Sequence, residues 1–331
     1  ALIVGPWAIA ITIATDGGFW REAILGDLAP KIAGGDEGHG MPPGLYLLIA
    51  PILFFPATLL LPAALSTGWH RRAEPAIRFL ICWLVPAWLI FELTPTKLAH
   101  YTLPTFGALA LLAAAAATRP IGKASRLTGA GLQVFVGALL AVASVWMLTE
   151  YGRSTAQTWA TMTIVFAILA ALIGAFLLMH RAAVTAIIAA IVLGMLSHAA
   201  LAGTLRQLRP LSPAPQLEKA LLAADLHPRQ GRPGPVAITR FHEPSFVFLT
   251  GRETELTDAA GAAQALAEGR PAIVEGRDAE AFREAAAQLG VTGRAVAVVD
   301  GHNYSRGENI SLTLYAPPGA TVAGLAMDPV Q

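Results

Sequence analysis

The sequence predicts an α-helical polytopic membrane protein of about seven spans, followed by a C-terminal soluble α/β domain. Three observations carry this. Of 331 residues, 55% are hydrophobic and only 14% charged, where a soluble globular chain carries about 25% charged residues. Seven apolar runs fill residues 1–204, and a helical span needs about 20 mostly apolar residues. Beyond residue 205, short apolar runs alternate with charged helical stretches, as strands alternate with helices in an α/β domain. The same composition excludes a disordered chain, which needs low hydrophobicity and high net charge. A net charge of +1 leaves no basic field for nucleic acid. The single cysteine excludes a disulfide framework and any CxxC motif.

The first run, ALIVGPWAIAITIAT at 1–15, has no charged segment before it and does not read as a signal peptide. It lies near the short limit for a span, as if its start were missing. The chain is therefore expected to be the C-terminal part of a longer protein. The remaining spans are expected at 44–66, 77–94, 99–118, 130–149, 157–179 and 183–203. Several contain Pro or Gly, which neighbouring helices in a membrane can accommodate. Cys82, inside one span, reads as a small packing residue.

Orientation follows from Lys and Arg in the short loops. Loops 67–76, 119–129 and 180–182 hold six cations in 24 residues, whereas 16–43, 95–98 and 150–156 hold four in 39. The denser set is assigned to the cytoplasm. Loop 16–43 then lies outside, as does everything after the seventh span. Residues 1–204 form the expected membrane domain and 205–331 an outer α/β domain, joined by the proline-rich RQLRPLSPAP. Strands are expected at 236–241, 246–250, 272–275, 295–300 and 310–316, with helices at 215–225, 258–268 and 278–289.

Chemistry can sit in two places on the outer side. In loop 16–43, Phe19, Trp20, Ala23, Ile24 and Leu28 recur near helical spacing. This pattern fits an interfacial amphipathic helix, whether it only packs the bundle or also serves a site. Asp36, Glu37 and His39 follow between flexible glycines. Carboxylate and imidazole together can bind a divalent metal or exchange protons. A solvated polar turn reads the same way, and the spacing matches no zinc signature. The second place is TPTKLAHYTLP at 94–104. Lys97 and Tyr101, four apart, would share a helix face, with His100 beside them. An ammonium and a phenol at headgroup level can hold a lipid-borne phosphate. A snorkelling lysine with an aromatic-belt tyrosine is the other reading. Glu92, near the outer end of its span, is costly in lipid and is expected to face protein or water. In the outer domain, RFHEPS at 240–245 and DGHNYSRG at 300–307 follow candidate strands. Strand ends of this kind bind ligands in open α/β sheets, though loop turns look alike.

Three stretches together carry a resemblance: FWREAILGDLAPKIAGGDEGHGMPPGLYLL, then FFPATLLLP, then PTKLAHYTLPTFGALALLAA. They resemble the C-terminal half of bacterial polyprenyl-phosphate-sugar-dependent glycosyltransferases. These are GT-C enzymes of the protein O-mannosyltransferase type, a class that includes the aminoarabinose transferase acting on lipid A. KLxxYxLPxxxxLALL is the most specific match, and the likeness covers about residues 1–204. It implies inverting sugar transfer from a polyprenyl phosphate donor to a periplasmic acceptor (lipid A, a glycan or a protein), in the bacterial inner membrane. It further implies that Tyr101 contacts the carrier phosphate, that Lys97 adds positive charge, and that His39 lies beside a metal or phosphate. The family's essential acidic residues sit in a first outer loop that precedes the portion matched here. The resemblance thus implies that the catalytic base is absent from this chain, which would be inactive alone or need an N-terminal half supplied separately. A non-catalytic membrane scaffold and a secondary transporter with an outer binding domain are the other classes. The near absence of mid-span charge speaks against the transporter.

Overall fold

The computed structural model describes residues 3–30, 41–152, 154–231, 234–303 and 305–320. The chain divides into two compact units. One comprises Ala1–Val145 with Thr161–Leu201, the other Trp146–Ala160 with Ala202–Gln331.

The first unit is helical. Helix α1 (Val4–Ala14) has 11 residues and, at about 1.5 Å per residue, falls well short of a hydrocarbon core of about 30 Å. It leads into α2 (Gly18–Arg21), which continues as a π-helix over Glu22–Leu28. Trp7, Phe19 and Trp20 meet edge to face with ring centroids 5.1–6.0 Å apart. The Trp20 indole donates to Thr12 Oγ1 at 2.7 Å. The helical spacing of the outer loop's aromatic residues is thus realised, partly as π-helix.

The expected straight span at 44–66 is broken. Helix α3 (Leu45–Leu53) and the stretch Ala57–His70, which contains α4 (Leu61–His70), meet at 117°. Pro56 supplies no N–H at the break. The freed backbone is satisfied from a neighbouring helix, α7 (Lys123–Tyr151). Its fully buried Gln133 accepts from Leu59 N at 3.2 Å and donates to Ala170 O at 3.4 Å. Gly129, one turn earlier on α7, permits the close approach, for a Cβ there would fall 2.1 Å from Leu59 O.

Helix α5 (Pro75–Leu93) starts on Pro75, which suits a first helical position, and stops at Thr94, the residue before Pro95. The expected span at 99–118 begins instead as a 3-10 turn over Ala99–Thr105 and becomes α6 at Phe106–Ala117. Helices α8 (Ser154–Met179) and α9 (Ala183–Gln207) follow. They bury small residues such as Ala167, Ala170, Ala186 and Ala190, as close-packed membrane helices do. Large apolar groups such as Phe79, Leu93 and Met195 stay exposed. Cys82 is exposed too, so it does not pack the bundle as expected; it sits on a face that the fold leaves open.

Among the described residues, five helices are long and apolar enough to cross a membrane, or six if the bent pair counts as one span. The difference from the expected count of about seven lies at α1 and at the break at Pro56.

The second unit carries a five-stranded sheet. Its strands are β1 (Ala237–Thr239), β2 (Glu255–Thr257), β3 (Ala272–Glu275), β4 (Arg294–Asn303) and β5 (Glu308–Ala316). Their order is β2-β1-β3-β5-β4. β1 pairs parallel with β2 and β3, and β5 pairs antiparallel with β3 and β4. Helices α10 (Pro213–Ala223), α12 (Ala259–Ala267) and α13 (Ala279–Gln288) match the expected ones within a few residues. One expected strand is a helix: Phe246–Thr250 belongs to α11 (Pro244–Thr250). Pro244 presets its first turn, and the buried Phe246 and Thr250 lie one helical turn apart. The strand falls later, at Glu255–Thr257.

Candidate functional site

The site forms where residues 41–47 meet the end of α5 and the segment after it. Three links, four hydrogen bonds in all, join residues 41–47 to 92–98. Met41 N donates to Pro95 O at 3.1 Å, and the fully buried Tyr46 hydroxyl donates to Leu98 O at 3.1 Å. Glu92 makes the third link, and it is the strongest. Its carboxylate accepts from Gly44 N at 2.8 Å and from Leu47 N at 2.9 Å. These are the N-cap and N3 amides of α3, the pair that a capping box satisfies. A carboxylate there also meets the positive end of the helix dipole. Glu92 is only 6% exposed, which agrees with its expected orientation toward protein. That it pairs with the helix start at Gly44, 48 residues earlier, left no mark in the sequence.

Lys97 follows on non-helical backbone. The expected shared helix face of Lys97 and Tyr101 is therefore corrected. Pro95 prevents α5 from continuing, Leu98 is extended, and only Ala99–Thr105 coils, as a 3-10 turn. Lys97 is 5% exposed, unlike a snorkelling lysine, and its Nζ donates to the Thr94 carbonyl. Among the described residues no carboxylate pairs with it. An ammonium has three donors, so a buried cation held by one neutral carbonyl keeps capacity for an anion. Tyr101 is half-buried and packs on Phe91 with centroids 6.0 Å apart, while the exposed His100 ring meets it edge-on at 5.1 Å. An ammonium, a phenol and an imidazole thus fall within five residues, the phenol and imidazole on the 3-10 turn and the ammonium just before it.

Asp36, Glu37 and His39 lie outside the described residues. Among the described residues, no group of three or more metal-ligating side chains forms. Sequence reasoning missed Tyr46 and the amides of Gly44 and Leu47. A glycine directly before an apolar run was the available signal for a helix start at that point.

No known protein-family profile matches the chain. It is 34% identical over 146 residues to the undecaprenyl phosphate-alpha-4-amino-4-deoxy-L-arabinose arabinosyl transferase of Pseudomonas paraeruginosa. That stretch is 44% of this chain and 26% of the relative. It is 37% identical over 115 residues to the transferase of the same name from Pectobacterium carotovorum, 34% of this chain and 20% of that one. The chain thus matches about a quarter of the length of these curated relatives. The fold is similar to that of ArnT from Cupriavidus metallidurans, solved bound to undecaprenyl phosphate. The TM-score is 0.59 at 15% identity, covering 95% of this chain and 58% of that one. The apo structure of that protein gives 0.52.

Proposed function

We propose that this chain carries the C-terminal part of a membrane glycosyltransferase that moves a sugar from a polyprenyl phosphate carrier to a periplasmic acceptor. In this reading Lys97 and Tyr101, flanked by His100, hold the donor phosphate. One observation carries it: a buried lysine, bound among the described residues to a single neutral carbonyl, lies five residues from the carboxylate that caps α3. The names of the relatives and the fold likeness support the substrate class. The acceptor hydroxyl attacks the anomeric carbon with inversion, and the carbon–oxygen bond to the carrier phosphate breaks. The proton leaves to a base, which the family resemblance puts on a first outer loop. Lys97 and Tyr101 stabilise the negative charge that grows on the departing phosphate. In this reading the outer side corresponds to the periplasm of a bacterial inner membrane, where residues 205–331 lie.

The test is binding of undecaprenyl phosphate to the full chain in nanodiscs. Lys97→Ala is expected to weaken it about tenfold or more, the worth of a charge-assisted hydrogen bond. Tyr101→Phe should weaken it less, and His100→Ala least. Equal binding by the parent and Lys97→Ala would sink the assignment and favour a scaffold.

A further inference from the structure

The second unit contains a cavity of about 160 Å³. Both polar segments noted after candidate strands contribute to it, Glu243 and Ser245 from one and His302 and Asn303 from the other. The fold brings them together because β1 leads into the first segment and β4 ends in the second. Leu211, Pro213, Ala214 and Pro215 close the apolar side with Phe241, and Ser212 adds a hydroxyl. Gly301 lets that turn seat on β4, since a Cβ would fall 3.0 Å from Pro210 O and 3.1 Å from Pro213 Cβ.

The polar wall offers both donors and acceptors. Asn303 is 5% exposed, and its Oδ1 accepts from Ser305 N at 3.1 Å, which leaves the amide nitrogen to donate. His302 Nδ1 lies 2.9 Å from Asn309 Oδ1. Nδ1 therefore donates, and Nε2 is left as an acceptor. Glu243 accepts, Ser245 does either, and among the described residues no lysine or arginine lines the cavity.

We propose that this cavity binds a single hydroxylated ring, a neutral or amino-substituted monosaccharide unit, and rejects anionic ones. Vicinal hydroxyls need adjacent donors and acceptors, and the C–H face of the ring needs an apolar wall; both are present. Pockets for drug-sized ligands span about 300–1,000 Å³, so this volume admits one small ring. Glu243 attracts an ammonium and repels a phosphate. This site is separate from the donor-phosphate segment and does not depend on it.

The experiment titrates D-glucose, D-glucosamine and D-glucose 6-phosphate onto the full chain in nanodiscs, read by saturation-transfer NMR. Saturable binding of the first two is expected, with the phosphorylated sugar at least about tenfold weaker. Glu243→Gln should weaken glucosamine about tenfold, as expected for loss of a charge-assisted bond, and relax discrimination against the phosphate. Ser245→Ala, at an exposed position, should weaken both binders, and Lys97→Ala neither. A circular-dichroism melt verifies that each variant is folded. Absence of saturable binding, equal affinity for all three sugars, or sensitivity to Lys97→Ala but not to Glu243→Gln and Ser245→Ala would each overturn the proposal.

Discussion

The two units hold their charged side chains differently. In the helical unit, Glu92 and Gln133 are spent on backbone amides at helix breaks, and Lys97 on a backbone carbonyl. In the sheet unit, charges pair with charges. Arg270 sits between Glu255 and Glu268, and Arg277 between Glu275 and Glu308. The difference follows from the surroundings. An apolar medium offers no water to a broken helix, so one side chain must satisfy each freed amide. At a wet surface an ion pair is optional, screened and weak. A single polar residue should therefore matter more in the first unit than a charged one in the second.

The sharpest way to break this contrast is Glu92→Ala. It strands the Gly44 and Leu47 amides at the start of α3, and a hydrogen bond to a charged group contributes about 1.5–3 kcal/mol. The thermal unfolding midpoint in nanodiscs should fall clearly, and donor binding with it, because residues 41–47 lose their hold on 92–98. Glu92→Gln should recover part of both. A midpoint equal to that of the parent would show that the carboxylate is not the clamp. Gln133→Leu ranks next. It leaves Leu59 N without its partner and should destabilise by about 1–3 kcal/mol, visible as earlier proteolysis near the break at 54–56.

Arg270→Ala comes third. Its guanidinium is 13% exposed, but both partner carboxylates are at least 40% exposed, so screening limits the loss to about 1 kcal/mol. High salt should shrink the difference between parent and variant. A salt-independent loss above the Gln133→Leu effect would reverse the contrast.

The smallest effect concerns His227, fully buried in the second unit, with Nδ1 accepting from Arg229 N at 3.1 Å. Burial holds its imidazole below the usual histidine range, outweighing the raising influence of Glu218. The folded state therefore prefers neutral His227. Its stabilising share is complete above the unfolded value, about 6.5, and is lost as pH falls through the lower folded value. Unfolding midpoints should drop from pH 7.5 toward pH 5.5, and His227→Phe should flatten that slope. An unchanged slope would remove His227 as the cause.

Legibility differed between the units for the same physical reason. β3 was readable to the residue because AIVE is a short apolar run bounded by turn signals. Phe246–Thr250 was misread because a short apolar run suits strand and helix equally, and Pro244 together with the burial of Phe246 decided it. The break at Pro56 was visible as a proline but not as a 117° bend, which depends on Gln133 and Gly129 of a distant helix. Of the site, KLAHY was legible as a motif. The Lys97–Tyr101 helix face was not, because Pro95 and the extended Leu98 break the spacing on which that face relied.

The sequence by itself determined the apolar helices, the change of composition near residue 205 and the residue types available for binding a phosphate. These are properties of local composition and period. The tertiary structure alone decided that Glu92 caps a helix that begins 48 residues earlier in the chain, and that 240–245 and 300–307 share one cavity. Partners so far apart in sequence leave no periodic trace. They meet only when packing closes the chain, because buried amides and carboxylates must each find a partner.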